Sequence, residues 1–305
     1  MIQVFGHKAP DTDSTGSPLI WAWYLSEVQG RPAEAKLLGK PNTEAAFVLD
    51  RWSVATPAII DDVAAGDEVV IVDTNNPGEL PASINEATVV EIIDHHLLAG
   101  GIKTKGPINI TIRPVACTAT ILHDLMGADA AEMPDWVKGL MLSCILSDTL
   151  EFRSPTTTAV DRALAESLAG DLGIAIPEYA AELFAAKSDV SAHSDEDLLR
   201  MDSKEYEVDG TKLRITVLET TSPETVLDRK EGLLAALPTV ATADGVAEVL
   251  FFVVDILKEE ATLLIANDRQ KTIAEKSFDA TVNGDTVVLP GVVSRKKQII
   301  PALKV

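Results

Sequence analysis

Residues 88–96 read Thr-Val-Val-Glu-Ile-Ile-Asp-His-His, a short apolar run that ends in one carboxylate and two imidazoles. The run 88–93 is typical of a buried β-strand because it is short and rich in β-branched residues. Loops that leave the carboxyl ends of parallel strands line the ligand crevice of open α/β sheets. We therefore interpret Asp94-His95-His96 as a candidate metal or phosphate site, against the alternative of a helix cap followed by two exposed histidines.

The sequence up to residue 187 alternates β-rich and helical patterns. Predicted strands cover residues 2–5, 35–38, 68–72, 88–93 and 108–112. Predicted helices cover residues 17–28, 43–52, 118–126, 134–147, 157–169 and 177–186. This alternation predicts an α/β fold with a doubly wound, mainly parallel sheet, and near-continuous apolar strands fit burial on both faces.

The pattern changes after residue 187. Residues 188–195 are polar and free of periodicity, and we interpret them as a hinge linker. The Asp209-Gly210 turn between two β-rich runs predicts a hairpin. A helix from about residue 223 and strands at 249–254 and 262–265 follow.

The predicted organisation is thus a two-domain chain. Residues 1–187 form the α/β domain, and residues 196–305 form a smaller α+β domain that ends in a basic helix start. We find no internal repeat and no low-complexity tract.

The chain has 305 residues and a formal net charge of −21. A nucleic-acid-binding protein normally needs a basic face, so this charge counts against a nucleic-acid partner but allows a small anionic substrate held by metal ions and a few cations. Cys117 and Cys144 are the only cysteines, and no disulfide framework is expected. With no signal-like segment and no long apolar run, we expect a soluble cytoplasmic protein without a membrane partner.

Three predicted strand ends and one helix end carry candidate ligands. After the first strand, His7, Asp11 and Asp13 lie within seven residues, and Asp73 directly follows the strand 68–72. The alternatives are a helix cap for the first loop and ordinary Asp-Asn turn chemistry for the second. An apolar helix also runs into Asp148, where a carboxylate opposes the helix dipole unless a cation such as a metal ion compensates it.

Together these segments offer four carboxylates and two imidazoles: His7, Asp11, Asp13, Asp73, His95 and Asp148. Oxygen and nitrogen ligands without thiolate favour Mn²⁺, Mg²⁺ or Co²⁺ over a structural zinc ion. Six ligands are too many for one ion that must also keep water sites open. The set favours two ions about 3.5–4 Å apart that share one aspartate, an arrangement that serves phosphoryl hydrolysis.

A basic segment, Ser294-Arg295-Lys296-Lys297-Gln298, opens the last predicted helix. Its three cations and free backbone N–H groups could bind an anion, and a solvated basic patch is the alternative. On spacing alone, Lys204 is an ordinary solvated lysine.

The order of these motifs resembles that of the manganese-dependent, family II inorganic pyrophosphatases of the DHH phosphoesterase superfamily, across nearly the whole chain. The resemblance rests on His7-x-x-x-Asp11-x-Asp13, Asp73, Asp94-His95-His96, Ser147-Asp148-Thr149 and the basic segment 294–298. Lys204-Glu205-Tyr206, with the basic segment, narrows it from the superfamily to the pyrophosphatases.

The resemblance implies roles for individual residues. One Mn²⁺ or Co²⁺ ion is bound by His7, Asp11 and Asp73, and the second by Asp13, Asp73, His95 and Asp148. The residues implied to act on the substrate, beside the bridging Asp73, are His96, Lys204, Arg295 and Lys296. Asp94 is implied to orient an imidazole.

The resemblance also implies the reaction. A hydroxide that bridges the two metal ions hydrolyses pyrophosphate to two phosphates, and a further Mg²⁺ enters with the substrate. The active site is expected in a cleft between the two domains, with residues 188–195 as the hinge, and the family favours a homodimer.

Two departures from the family pattern concern Ala9, where a polar residue is usual, and Thr74-Asn75-Asn76, which replaces His-Asn-Glu. We expect them to affect outer hydrogen bonds rather than metal ligands. Residues 152–158 are interpreted as structural support and a helix cap, and His123 and His193 as ordinary helix and linker histidines.

Three alternative functions stay open: an exopolyphosphatase, an oligonucleotide phosphodiesterase of the same superfamily, and a non-catalytic phosphate or nucleotide sensor. The phosphodiesterase should have a basic second domain with stacking aromatics, whereas this chain is acidic and 5% aromatic. The sensor would have little use for six metal ligands.

Overall fold

A six-stranded sheet forms the centre of the N-terminal unit, Met1–Lys187, in the computed structural model, which describes residues 1–305. Its strands are β1 (Ile2–Phe5), β2 (Ala33–Leu37), β3 (Ala58–Ile59), β4 (Glu68–Val72), β5 (Thr88–Asp94) and β6 (Asn109–Ile112). They are ordered β3-β2-β1-β4-β5-β6, and every neighbouring pair is parallel. The strand order reverses between β1 and β4, the position at which open α/β sheets bind ligands. The predicted parallel sheet is confirmed, although the prediction missed the short, exposed β3.

Both faces of this sheet are buried. Along β4, Val70 and Val72 pack into the core on one face, whereas Val69 and Ile71 pack into the core on the other. All four side chains are fully buried. Because successive side chains of a strand point to opposite faces, a strand covered on both sides must be apolar throughout, as the sequence of β4 is.

Six α-helices accompany the sheet: α1 (Thr12–Trp23), α2 (Thr43–Arg51), α3 (Thr118–Met126), α4 (Asp135–Thr149), α5 (Ala159–Leu172) and α6 (Ile176–Lys187). The predicted start of α1 at residue 17 is wrong. The helix begins at Thr12 because Asp11 Oδ1 accepts a hydrogen bond from Ser14 N at 2.9 Å and caps it. The helix cap predicted within residues 152–158 is confirmed, since Thr158 caps α5 in a capping box with Asp161.

The helix α4 is buried along nearly its whole length, which fits its mostly apolar sequence. Trp52 packs directly on Gly139, where a Cβ atom would lie 2.1 Å from the indole Cε2 atom. The indole N–H donates to Tyr179 Oη at 2.9 Å, and Tyr179 Oη lies 2.6 Å from Ser143 Oγ. These contacts hold the middle of α4 against the end of α2 and against α6.

The C-terminal unit, Ser188–Val305, has its own five-stranded mixed sheet. Its strands, in the order β11-β10-β9-β8-β7, are β7 (Ser203–Val208), β8 (Thr211–Thr220), β9 (Glu248–Asp255), β10 (Glu260–Leu264) and β11 (Thr286–Pro290). The pair β8–β9 is parallel and the other pairs are antiparallel. The predicted hairpin is β7–β8, and Asp209 and Gly210 both have the positive φ that a tight hairpin turn requires.

The helices of this unit are α7 (Asp195–Arg200), α8 (Glu224–Leu227), α9 (Lys230–Asp244), α10 (Asp268–Phe278) and α11 (Ile300–Ala302). The sequence prediction missed α10, whose buried face consists of only Gln270, Ile273 and Ala274 and therefore gives a weak apolar pattern. It also missed β11. None of the helices combines the length and low charge that a bilayer-spanning segment needs.

The segment 188–195 packs onto the C-terminal unit. Ser188 Oγ lies 3.0 Å from Thr221 Oγ1, and Val190 belongs to the apolar core of this unit. Arg229 donates to the Val190 carbonyl at 3.0 Å and to Asp195 Oδ1 at 2.6 Å. The segment is therefore anchored by side-chain contacts, and its role as a hinge stays a prediction.

Candidate metal centre

Asp73 occupies the end of β4, between imidazoles that follow the neighbouring strands. His7 Nε2 lies 3.5 Å from Asp73 Oδ2, and His95 Nε2 lies 3.3 Å from Asp73 Oδ1. Asp73 is 1% exposed and has a φ of 59°, a left-handed conformation that costs a non-glycine residue roughly 1 kcal/mol or more. Its backbone N–H donates to the Ile93 carbonyl at 2.9 Å, which ties this turn to β5. Both oxygens of one carboxylate thus face ligand-type nitrogens.

Asp11 lies beside this pair, with its Oδ2 atom 3.7 Å from His7 Nε2. His7, Asp11 and Asp73 each offer one ligand atom, and the three atoms lie within 4.8 Å of one another. The other Asp11 oxygen accepts the capping hydrogen bond from Ser14 N. The helix-cap alternative for this loop is therefore correct, and it leaves one oxygen available for a metal ion.

A second cluster brings together Asp13 from α1, Asp148 from the last turn of α4, and Cys117, with one ligand atom of each within 4.8 Å of the others. Asp13 is 1% exposed and accepts hydrogen bonds from Ser17 Oγ at 2.6 Å and from Thr118 N at 2.7 Å. Asp148 is partly exposed, yet its Oδ2 atom is buried without a hydrogen-bond partner. A buried, unpartnered carboxylate oxygen is costly, and a cation would compensate it.

The crowding of carboxylates changes their acidity. Burial, together with the negative charges of Asp13 and Asp11, raises the pKa of Asp73 and the pKa of Asp148 well above their usual values. Like charges in a buried cluster cannot all ionise unless cations join them. The donor set and the unpartnered oxygen of Asp148 therefore fit divalent metal ions.

Cys117 was missed as a neighbour of the ligands. It is the N-cap residue of α3, directly before the predicted start of that helix at residue 118. Burial, together with the negative charges of Asp13 and Asp148, raises the pKa of the Cys117 thiol well above its usual value. Cys117 and Cys144 are both free and buried.

The two imidazoles of the Asp94-His95-His96 stretch have different partners. His95 Nδ1 lies 3.2 Å from the Val115 carbonyl, a contact that leaves Nε2 directed at Asp73. His96 Nδ1 lies 2.8 Å from Asp94 Oδ1, and this hydrogen bond raises the pKa of His96. The imidazole that Asp94 orients is therefore that of His96, which is the more exposed of the two.

Two of the residues that depart from the family pattern, Thr74 and Asn75, make hydrogen bonds near the proposed metal centre. Asn75 donates to Asp94 Oδ2 and to the Leu97 carbonyl, so it holds the carboxylate that orients His96. Thr74 Oγ1 donates to Glu79 Oε2 at 2.7 Å, and the negative charge of Glu79 raises the pKa of His96 further. These residues act on the outer hydrogen bonds. In contrast, Ala9 is exposed.

The C-terminal unit brings together the cations that the resemblance implied. Lys204 on β7 and Arg295 and Lys296 near the C-terminus line one cavity of about 500 Å³ together with Asp202, Tyr206, Val217, Glu219 and Ser294. Arg295 donates to the Asp202 carbonyl and, at 2.8 Å, to Asp202 Oδ1. His123 on α3 and His193 in the segment 188–195 lie outside these groups.

The predicted basic helix start is confirmed, since Ser294 is the N-cap of a helical stretch that begins at Arg295 and continues to Ala302. Residues Arg295–Ile299 form only one π-helical turn before the three-residue α11. Ser294 Oγ already accepts from Lys297 N at 3.3 Å, and the Ser294 carbonyl accepts from Gln298 N at 3.0 Å. The backbone N–H groups of Lys297 and Gln298 are therefore already engaged within the segment.

Comparisons with known proteins agree over the whole chain. Residues 1–147 match the model of the DHH family, N-terminal domain, and residues 181–305 match that of the DHHA2 domain. A relative from Deinococcus radiodurans, described as a "probable manganese-dependent inorganic pyrophosphatase", is 38% identical over 100% of this chain and 98% of its own length. A relative of the same description from Lactobacillus gasseri is 33% identical over 98% of this chain and 96% of its own.

Solved structures agree as well. A "putative family II inorganic pyrophosphatase" from Methanococcus jannaschii is 35% identical with a TM-score of 0.62, and the alignment covers 99% of this chain and 98% of that one. An exopolyphosphatase-related protein from Bacteroides fragilis is 13% identical with a TM-score of 0.52, over 98% of this chain and 89% of that one, and shares the fold.

Proposed function

We propose that this chain, which belongs to the family of manganese-dependent, family II inorganic pyrophosphatases, hydrolyses inorganic pyrophosphate to two phosphates. The observation that carries the proposal is the placement of Asp73, which is buried with both carboxylate oxygens directed at imidazoles that follow neighbouring strands. A carboxylate in this position can serve two metal ions at once, which is the requirement of a two-metal hydrolase.

The proposed assignment of ligands uses both clusters. His7, Asp11 and Asp73 would hold one Mn²⁺, or a Co²⁺ in its place, and Asp13, Asp73, His95 and Asp148 would hold the other. The distances between His7, Asp11 and Asp73 and the unpartnered oxygen of Asp148 support this division. When bound, the ions polarise phosphoryl oxygens and make water a nucleophile at neutral pH.

The proposed role of His96 follows from its hydrogen bond to Asp94. The raised pKa of His96 favours the protonated ring, and the Nδ1 contact with Asp94 leaves the Nε2–H free to donate to a phosphate oxygen. The buried Asp94 accepts hydrogen bonds from both backbone N–H groups that follow it, so the ring is anchored at its base. We propose that His96 orients the phosphate that is attacked.

The cations of the C-terminal unit are proposed to bind the same substrate. Pyrophosphate is highly charged, and Lys204, Arg295 and Lys296 would offset that charge and stabilise the departing phosphate, together with a Mg²⁺ ion that enters with the substrate. Asp202 holds the guanidinium of Arg295 in one orientation, which reduces the ordering cost of binding. Residues 188–195 are proposed to act as the hinge that lets both units engage one substrate.

We also propose a cytoplasmic homodimer. Two buried free thiols suit a reducing compartment, and the family resemblance favours the dimer. A molar mass in solution equal to that of one chain would contradict the dimer.

The test of the proposed function is product formation by the purified, chelator-treated chain. Pyrophosphate, tripolyphosphate and a dinucleotide are each offered with Mn²⁺, Co²⁺ or Mg²⁺; phosphate release is measured for the first two, and formation of mononucleotides for the third. We expect rapid phosphate release from pyrophosphate with Mn²⁺ or Co²⁺ and no cleavage of the dinucleotide. Preferential hydrolysis of tripolyphosphate would identify an exopolyphosphatase, and cleavage of the dinucleotide but not of pyrophosphate would overturn the proposal.

A further inference from the structure

A fully buried carboxylate, Glu44, lies close to the metal centre and has no role in the assignments above. It sits in the first turn of α2, which Asn42 caps by accepting from Ala45 N at 2.7 Å. Its exposed fraction is 0%. The cap formed by Asn42 explains where the helix starts, but it does not require a glutamate at position 44. A buried carboxylate is costly unless hydrogen bonds compensate it, so the contacts of Glu44 need an explanation.

Three donors converge on one oxygen of this carboxylate. Glu44 Oε2 accepts from Thr12 Oγ1 at 2.9 Å and from Ser147 Oγ at 2.7 Å, and it lies 3.3 Å from Lys187 Nζ. Lys187 Nζ also donates to Ser147 Oγ at 3.3 Å. The other oxygen, Oε1, is buried without a hydrogen-bond partner. The contacts of Glu44 are thus concentrated at a single point.

The two hydroxyls belong to residues that adjoin the proposed metal ligands. Thr12 lies between Asp11 and Asp13 at the start of α1, and Ser147 directly precedes Asp148 in the last turn of α4. A shift of either helix end would stretch a hydrogen bond to the same carboxylate oxygen. Glu44 therefore couples the position of one ligand-bearing helix end to that of the other.

We propose that Glu44 is a positioning residue of the metal centre, which sets the separation of the Asp13 and Asp148 carboxylates by holding Thr12 and Ser147 on one oxygen. This inference rests on the proposed two-metal function. Lys187, the last residue of α6, balances the charge of Glu44, so the additional buried carboxylate does not increase the negative charge around the ligands.

The chain should tolerate the loss of this carboxylate. The helices α1 and α4 also meet where Gly16 lies against Cys144, and Cys144 Sγ donates to the Thr12 carbonyl at 3.3 Å. These contacts do not involve Glu44. They hold the helices together, but neither involves Ser147, so without Glu44 the end of α4 that carries Asp148 is less well defined.

The experiment measures Mn²⁺ binding to metal-stripped protein without substrate, by calorimetry and by the electron paramagnetic resonance spectrum of bound Mn²⁺. Glu44→Leu removes the acceptor at similar size, and we expect about 10-fold weaker Mn²⁺ binding, the lower end of the loss when a direct partner of a metal ligand is removed, because Glu44 acts on the ligands through Thr12 and Ser147. Glu44→Gln keeps an acceptor oxygen and should weaken binding less than Glu44→Leu does.

Tyr179→Phe is the matched control. It removes a buried hydroxyl that contacts Ser143 on the same helix, α4, and the indole of Trp52, but it touches neither Thr12 nor Ser147. We expect it to lower the thermal stability of the metal-free protein and to leave Mn²⁺ affinity unchanged. If Glu44→Leu likewise lowers only stability, Glu44 is a structural residue and the inference is wrong.

A second variant keeps the inference testable if Glu44→Leu does not fold. Ser147→Ala removes one of the three donors and retains Asp148, and we expect weaker Mn²⁺ binding; unchanged binding would overturn the inference. A wild-type chain that binds no Mn²⁺ would overturn the proposed metal centre, and this inference with it. Normal wild-type binding that Glu44→Leu and Ser147→Ala leave intact would overturn the inference alone.

Discussion

In the N-terminal unit, the proposed metal ligands include crowded acids, of which Asp13 and Asp73 are almost fully buried. In the C-terminal unit, by contrast, three cations, Lys204, Arg295 and Lys296, line a cavity together with two acidic side chains. The acids are held by helix ends and strand ends. Two of the cations follow a strand and occupy one short turn. Metal ligation demands fixed oxygen positions and can compensate like charges, while attraction of a mobile anion needs net positive charge but less exact geometry.

We expect Asp73→Ala to have the largest effect, because it disrupts the proposed metal centre of the N-terminal unit. The substitution removes the one carboxylate that faces both imidazoles, so we expect pyrophosphate turnover to fall by about a thousandfold or more because both ions lose a ligand. The measurement is steady-state phosphate release, with Mn²⁺ binding and circular dichroism on the same sample. Near-normal turnover by a folded variant would contradict the shared-ligand assignment.

Arg295→Ala tests the cation side separately. We expect kcat/KM for pyrophosphate to fall by about a hundredfold, because a charged donor to the phosphates is lost, while Mn²⁺ affinity is unchanged. Lys297→Ala is the matched control, since Lys297 belongs to the same turn but does not line the cavity. Equal effects of the two substitutions would mean that only the overall charge of the segment matters.

The pH dependence of the stability of the metal-free protein tests whether the acids of the N-terminal unit repel one another. Asp148 has a pKa raised by burial and by the charges of Asp13 and Asp11, so the folded state holds its proton more tightly than the unfolded state does. The folded state is therefore favoured below the ordinary aspartate pKa of about 4, and this contribution is lost as pH rises through the raised pKa.

Asp148→Asn removes this titration. We expect the free energy of unfolding of the metal-free variant to fall less steeply between pH 4 and neutral pH than that of the wild type, as followed by urea denaturation. Saturating Mn²⁺ should reverse the wild-type trend, because metal ions favour the ionised carboxylates. A wild-type slope equal to that of the variant, without metal, would contradict the crowding of charges.

Asp202→Asn should have the smallest effect. Asp202 is exposed, and an exposed ion pair is worth at most about 1 kcal/mol, so releasing the orientation of Arg295 should change KM by no more than about fivefold. The change should disappear in the Arg295→Ala background when the two substitutions are combined. An effect that persists there would mean that Asp202 acts on the substrate independently of Arg295.

Much of the fold was predictable because burial on both faces of a parallel sheet leaves a strong signal. The apolar strands β4 and β5 and the buried helix α4 were located within two residues of their observed ends. In contrast, α10 was missed, since a helix with one narrow apolar face differs little from a polar loop. The start of α1 was misplaced because Asp11 was considered as either a cap or a ligand, whereas its two oxygens allow both roles.

The candidate ligands of the proposed metal centre could be named from sequence because their types and their places at strand and helix ends are local properties. The residues that surround these ligands could not be named from sequence. Glu44 reads as an ordinary acid in a first helical turn, and Cys117 as a small apolar residue. Only the packing of α1, α2, α4 and α6 brings the Glu44 carboxylate to Thr12 and Ser147.

By itself, the sequence determined most of the strands and helices of the parallel-sheet unit and the identity of the candidate ligands, because periodicity and side-chain chemistry act along the chain; Lys204 was named only through the family resemblance. The tertiary structure decided which imidazole Asp94 orients, which oxygens of Asp11 and Asp73 face nitrogens, and which acids shift each other's pKa values. Those outcomes depend on distances of a few ångströms between residues far apart in the chain. Such distances are set by the packing of whole elements, which no local pattern encodes.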